Sequence, residues 1–247
     1  MSKDKGNLVR ALWAAILVGI STLLLSLLVM ILSPLGLLSA PGAHRVARLW
    51  AKIVLWSGGG RLRVEGLENL PAEGGYILAA NHQSAADIPV LLASLPVDFR
   101  WLAKQSLFRI PLMGWAMKRC GYIPVAREDS SKALGLLKKA ANRIKDGVPV
   151  IVFPEGTRNN GPDKLLPFKK GGFLLARLAK RPIVPLAIYG TKEILPRHSL
   201  RPRKGRVVVR VGRPIDSNLF TSRETDKMLD LTRQEMESLL NGVEEIS

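Results

Sequence analysis

The chain has 247 residues, 47% of them apolar, enough to enclose a sizeable core in one domain or in a core domain with an appendage. Lys and Arg outnumber Asp and Glu by 37 to 20, a formal net charge of +17, so the surface or ligand it meets is anionic: nucleic acid, anionic lipid or a phosphorylated metabolite. The single cysteine, Cys120, excludes an intrachain disulfide and a cysteine-built zinc site, and fits a reducing, cytosol-facing setting.

The apolar residues are unevenly placed. Residues 11–32 are 22 positions without a charge, and at 1.5 Å per residue a helix of that length covers roughly 33 Å, enough to cross a bilayer. Lys3, Lys5 and Arg10 precede it as they would in a secretory signal, but a signal's apolar region is shorter and no small-residue cleavage site follows. Pro34 and Gly36 end this helix. A second begins after Pro41-Gly42, with Val46, Leu49, Trp50, Ile53 and Val54 at helical spacing and Arg45, Arg48 and Lys52 on its other side. An apolar stripe ending at Trp56 beside a basic row is the pattern of a helix at a membrane interface, although packing on the protein core would give a similar stripe. Basic residues flank the apolar block on both sides, so charge asymmetry assigns no orientation to a single span. A hydrophobic two-helix hairpin that enters and leaves one leaflet accounts for this symmetry. The expectation is a membrane-associated two-helix segment over 1–58 and an α/β domain over 59–247.

After the glycines at 58–60 the texture changes to short β-rich runs separated by helical patterns, as in α/β domains. Strands are predicted over 62–65, 76–80, 99–103, 122–126, 148–153, 183–189 and 207–211, forming a mixed, mostly parallel sheet flanked by helices. The clearest helix runs over 131–145, with Leu134, Leu137, Ala141 and Ile144 on one face and Gly147 as its stop. A last helix near 222–240 is polar and reads as peripheral. Between Lys180 and Arg213 stand ten Lys or Arg and one acid, Glu193, which makes one edge strongly positive.

Two turns carry chemistry. The first, Asn81-His82-Gln83-Ser84-Ala85-Ala86-Asp87, directly follows the apolar run 76–80, so His82 stands at a strand's carboxyl end, where open α/β sheets place ligand sites. Five residues apart, His82 and Asp87 would lie roughly 140° apart on a regular helix, so the pair needs a bend. Ser84 can cap the next helix with Asp87 at its third position and its carboxylate turned back toward His82; alternatively Asp87 is itself the cap, with Pro89 in the first turn. Either way His82 reads as a general base whose carboxylate partner fixes the tautomer. The spacing alone is a weak signal, arising by chance roughly one time in four. His44 and His198 have no comparable partner and read as surface or interface residues. The second turn, Phe153-Pro154-Glu155-Gly156-Thr157-Arg158, follows another apolar strand. Gly156 lets backbone amides approach an anion, Thr157 offers a hydroxyl, and Arg158 can grip a phosphate with two parallel hydrogen bonds. Glu155 either orients Arg158 or accepts from glycerol hydroxyls; an ordinary solvent loop is the plain alternative.

Asn81-His82 with Asp87, Gly121 through Arg127, Phe153 through Arg158, and Val184-Pro185-Leu186-Ala187 resemble the four ordered blocks of the glycerolipid acyltransferases, above all the bacterial 1-acylglycerol-3-phosphate acyltransferases. The resemblance covers about 64–211; Pro124-Val125-Ala126 departs from a more usual Phe-Ile-Asp type of run. It implies that His82 and Asp87 are the catalytic base and its partner, and that Arg127, Glu155, Gly156, Thr157 and Arg158 hold the phosphorylated acceptor. An acyl group would pass from acyl-CoA or acyl carrier protein to lysophosphatidic acid, with no acyl-enzyme and no role for Cys120 beyond packing. Glycerol-3-phosphate or another lysophospholipid is the alternative acceptor. Backbone amides near Gly156 or the ammonium of Lys104 would stabilise the oxyanion. No metal and no cofactor is expected, and the partners are membrane lipids, anionic ones especially, at the cytoplasmic face of the inner membrane. A nucleic-acid-binding module is disfavoured, because aromatics are only 6% and no recognised motif is present. No Gly-x-Ser-x-Gly elbow supports a serine hydrolase.

Overall fold

A computed structural model of the chain describes residues 8–125, 130–159, 164–199 and 201–244. Two helices come first, α1 (Leu8–Leu32) and α2 (Ala40–Gly58). The chain then alternates strands and helices: β1 (Gly60–Glu65), β2 (Ile77–Ala80), α3 (Asp87–Ser94), β3 (Arg100–Lys104), α4 (Met113–Arg119) and β4 (Ile123–Val125). There follow α5 (Ser130–Lys145), β5 (Val150–Val152), α6 (Gly171–Ala179), β6 (Ile183–Tyr189), α7 (Thr191–Ile194), β7 (Gly205–Val211) and α8 (Thr225–Glu244). All seven predicted strands form, several of them one to three residues shorter than the apolar runs that predicted them.

They make one sheet in the order β1-β7-β6-β2-β5-β3-β4, parallel at every pairing except β6 with β7. The central strands β2 and β5 are buried throughout, which is why they read as continuous apolar runs rather than alternating ones. Alternate residues feed two cores. Leu78, Ala80, Ile151 and Leu186 face α2 and α3, whereas Ile77, Ala79, Val150 and Val152 face α5, α6 and α8. The predicted helix over 131–145 is α5, which buries Ala140, Ala141 and Ile144. The last helix is not peripheral: α8 lies against β6 and buries Met228, Thr232 and Met236 completely. Its polar composition belongs to the outer face only.

The N-terminal segment differs from the expected hairpin of two hydrophobic helices. Among the described residues one helix, α1, is long and apolar enough to cross a membrane, and only 17% of its most apolar stretch is buried, unlike a core helix. It buries Ala11, Ala14, Ser21, Ser26 and Val29 and turns Leu12, Trp13, Ile16, Ile20 and Leu24 outward, the reverse of a helix on a water-soluble surface. By contrast α2 is amphipathic and packs its apolar side on α3, while Arg45, Leu49, Lys52 and Trp56 stay exposed. The two helices are tied by Trp50 Nε1–H donating to Thr22 Oγ1 at 2.9 Å and by an edge-on contact of Trp13 with Trp56. Ser39 caps α2 by accepting from Gly42 N–H, and Gly59, at φ 76°, closes it in the left-handed conformation that glycine adopts without strain.

Candidate active site

Because β5 pairs with both β2 and β3, the carboxyl ends of these three strands lie side by side. His82 follows β2, the turn from Phe153 to Arg158 follows β5, and Lys104 is the last residue of β3. Residues far apart in the chain thus share one rim of the sheet. Arg127 lies outside the described residues.

The His82–Asp87 pair forms with the Asp87 carboxylate turned back as the first capping scheme expects: it accepts from Ser84 N–H while Ser84 Oγ accepts from Ala86 N–H at 3.2 Å, although the regular helix begins later. Helix α3 starts at Asp87 itself, with Ala86 as its cap residue. The Asp87 carboxylate turns back over the loop, and its Oδ2 accepts from His82 Nδ1–H at 2.6 Å, Gln83 N–H at 2.7 Å and Ser84 N–H at 2.9 Å. Its side chain is 0% exposed, that of His82 17%. A carboxylate only accepts, so Nδ1 carries the proton and Nε2 of the neutral ring keeps its lone pair. The imidazole lies flat on Phe153, centroids 4.0 Å apart at 12°, and Phe153 in turn stacks on Trp101 at 5.6 Å. Nothing in the sequence announced this stack, since Phe153 follows His82 by 71 positions and meets it only through the β2–β5 pairing.

The loop is braced from other sides. The Asn81 side chain imitates a backbone: its Oδ1 accepts from Ile188 N–H at 2.7 Å and its Nδ2–H donates to Ile188 C=O at 2.9 Å. Ser84 Oγ–H donates to Leu195 C=O at 2.7 Å. The backbone of His82 itself is held at both polar groups: its N–H donates to Glu155 Oε1 at 2.8 Å, and its C=O accepts from Asn159 N–H at 2.7 Å.

The residues expected at the acceptor divide accordingly. Thr157 and Arg158 are exposed, as is Lys104. Glu155 is not available to glycerol hydroxyls or to Arg158: it is 2% exposed, and its second oxygen accepts from Leu166 N–H at 3.0 Å. Burial pushes its carboxyl above the ordinary carboxylate value, against the pull of those two amides and of His82. Gly156 has φ 68°, but its N–H donates to Phe153 C=O at 3.0 Å, so it closes the turn rather than pointing at an anion. A Cβ at Gly156 would stand 2.8 Å from Lys169 Cδ, which brings the Lys169 chain across the turn. Sequence reasoning missed Lys169; the only signal for it was the pair Lys169-Lys170 ahead of Gly171-Gly172.

The other histidines also separate. His198 is exposed, as expected. His44 is not a surface residue: it is 1% exposed, its Nδ1 bonds Tyr122 Oη at 3.1 Å, and its ring meets Phe99 edge-on. Burial lowers its pKa to about 4, against the opposing pull of Asp98. Cys120 is buried in the core, which pushes its thiol up to about 12.

The His82–Asp87 turn lies beside a strand-end turn with exposed Thr157 and Arg158, and comparison with known proteins gives the class. A family model described as Acyltransferase matches residues 61–189, just over half of the chain. The chain belongs to that family. It is 37% identical over 192 residues to a chloroplastic 1-acyl-sn-glycerol-3-phosphate acyltransferase of Arabidopsis thaliana, an alignment covering 76% of this chain and 53% of that protein. The chain thus spans about half the length of this plant relative, and 44% of one from Brassica napus. A 1-acyl-sn-glycerol-3-phosphate acyltransferase of Borreliella burgdorferi is 30% identical over 196 residues, covering 79% of this chain and 78% of its own. The crystal structure of the 1-acyl-sn-glycerophosphate acyltransferase from Thermotoga maritima superposes with a TM-score of 0.66 at 26% identity, covering 92% of this chain and 98% of that one.

Proposed function

We propose that the protein transfers a fatty acyl group from an acyl thioester, acyl-CoA or acyl carrier protein, to the sn-2 hydroxyl of 1-acylglycerol-3-phosphate, forming phosphatidic acid at a membrane surface. The observation that carries this reading is the 2.6 Å bond between His82 Nδ1 and Asp87 Oδ2, which leaves Nε2 as the basic nitrogen on a rim shared with Thr157, Arg158 and Lys104. The names of the relatives support the acceptor, and the outward apolar face of α1 supports the membrane.

The chemistry follows from these groups. His82 Nε2 takes the proton from the acceptor hydroxyl as its oxygen attacks the thioester carbonyl, and Asp87 stabilises the imidazolium that forms. The tetrahedral oxyanion collapses, the carbon–sulfur bond breaks, and His82 returns the proton to the departing thiolate. With the Gly156 amide committed to its turn, the Lys104 ammonium is the better candidate to face the oxyanion. Arg158 and Thr157, with Arg127 by family resemblance, hold the acceptor phosphate. Incubating the full-length His82→Ala variant, shown to be folded by circular dichroism, with lysophosphatidic acid and acyl-CoA and weighing the products by mass spectrometry tests the reading. No phosphatidic acid is expected; a rate near wild type would overturn it.

A further inference from the structure

Glu155 stands in a turn that is read as a phosphate cradle, where a carboxylate repels the ligand, and both its oxygens are already committed. Oε1 accepts from His82 N–H and Oε2 from Leu166 N–H, in a residue 2% exposed. Four residues on, Asn159 N–H donates to His82 C=O, and Asn159 Nδ2–H donates to Lys164 C=O at 2.6 Å. One turn therefore grips His82 at both backbone polar groups, and between the two grips the same turn carries Thr157 and Arg158.

We propose that Glu155 is a positioning residue: through the His82 amide it fixes the imidazole relative to the Thr157–Arg158 turn, and it touches no substrate. This rests on the reading of His82 as the base. The choice of a carboxylate follows from the donors around it. Two backbone N–H groups from separate segments converge on one side chain, so that side chain must be a double acceptor. Glutamine offers one oxygen and an NH2 that would confront the second N–H, and an apolar residue would leave both amides unpaired. Aspartate is a methylene too short to reach both. Misplacing a catalytic group by about 1 Å costs roughly 100-fold in rate, while a phosphate site on the exposed side of the turn keeps its own contacts.

The test uses full-length Glu155→Gln and Glu155→Asp, with lysophosphatidic acid and acyl-CoA as substrates and product mass as readout. Glu155→Gln is expected to lower kcat roughly 10- to 100-fold with the acceptor KM held within about threefold. A raised acceptor KM with kcat retained would overturn the positioning role. Should Glu155→Gln fail to fold, Glu155→Asp carries the same test: a lowered kcat at constant acceptor KM supports the proposal and a wild-type kcat overturns it. If His82→Ala itself stays active, the base assignment is what has failed.

Discussion

The sharpest perturbation is Asp87→Asn. Three donors converge on Asp87 Oδ2, while Oδ1 has no hydrogen-bond partner among the described residues. An asparagine can seat its oxygen at the Oδ2 position and its nitrogen at Oδ1. The reverse seating would leave the Gln83 and Ser84 amides facing an NH2, at about 1–3 kcal/mol each. Those two amides therefore hold the oxygen toward His82, and the ring keeps its tautomer. What is lost is charge: imidazolium meets a neutral oxygen instead of a carboxylate. The loss lies between about 1 kcal/mol, the gain of a charged over a neutral hydrogen bond, and about 4 kcal/mol, a Coulomb pair at ~4 Å in an effective dielectric of ~20. Its middle, about 2–3 kcal/mol, corresponds to a kcat lower by roughly 100-fold at one decade per 1.36 kcal/mol. In a Ser-His-Asp triad the same change costs about 10,000-fold because the tautomer is wrong. Steady-state rates with lysophosphatidic acid and acyl-CoA decide. A loss below about threefold refutes the electrostatic role of Asp87, and one near 10,000-fold refutes the claim that the two amides fix the tautomer. Asp87→Ala should differ in kind, leaving both amides unpaired at about 2–6 kcal/mol and lowering the melting temperature by roughly 5–20 °C.

Arg158→Ala should raise the acceptor KM by about tenfold or more through loss of a charged phosphate contact worth ~1.5–3 kcal/mol, with the donor KM little changed; equal changes in both would count against it. Cys120→Ala should keep its kcat and lose only on the order of 1 kcal/mol of stability, because a buried thiol pushed up to about 12 supplies no thiolate at neutral pH; an inactive but folded variant would revive a covalent route. His44 gives a pH signature. Its folded pKa is about 4 and its unfolded value 6.5, so the unfolded chain binds the proton first as pH falls. Its contribution is fully present above pH ~6.5 and is lost by about 3 kcal/mol on going down toward pH ~4. Denaturant titrations of wild type and His44→Phe should diverge across that window, and parallel curves would show that His44 is not buried neutral.

The strands were legible because strands buried on both faces write themselves as runs of Val, Ile, Leu and Ala, as at Ile183–Tyr189. Their order was not. Nothing local tells that β5 sits between β2 and β3, and that order alone brings Phe153 under His82 and Lys104 to the same rim. The His82–Asp87 pair was readable as types and spacing, but its geometry depends on where α3 begins, a boundary set by the carboxylate's own bonds to Gln83 and Ser84. Glu155 was misread for a related reason. Charge is written in the sequence and burial is not, so a carboxylate in a turn read as a phosphate site looks like a ligand until both oxygens are seen to hold backbone amides. Likewise His44, on the same helix as Arg45 and Arg48, looks superficial until α2 turns that side onto Phe99 and Tyr122. The polar pattern of α8 hid a buried edge made of only a few residues, Met228, Thr232 and Met236.

The topology also bears on how a lipid would reach His82. Because β7 runs antiparallel to β6 and β6 parallel to β2, the amino end of β7 lies on the same edge of the sheet as the carboxyl end of β2. Pro202, three residues before β7, accepts from Arg10 in the first turn of α1 at 3.4 Å. The start of the apolar helix is thus fixed at the edge that carries His82, beside the basic run that includes Arg201, Arg203 and Lys204, rather than at the opposite edge of the sheet. A helix whose outward face is Leu, Ile and Trp belongs in hydrocarbon, and a cationic edge belongs against phosphates. An acceptor whose acyl chain is in the bilayer and whose phosphate is at its surface then needs to rise only as far as the rim where Arg158 and His82 stand. A soluble enzyme would instead have to extract the whole acyl chain, at about 0.8 kcal/mol per CH2 withdrawn from the membrane. The same proposed activity therefore favours a chain that brings its own apolar helix to the rim, and α1 does so.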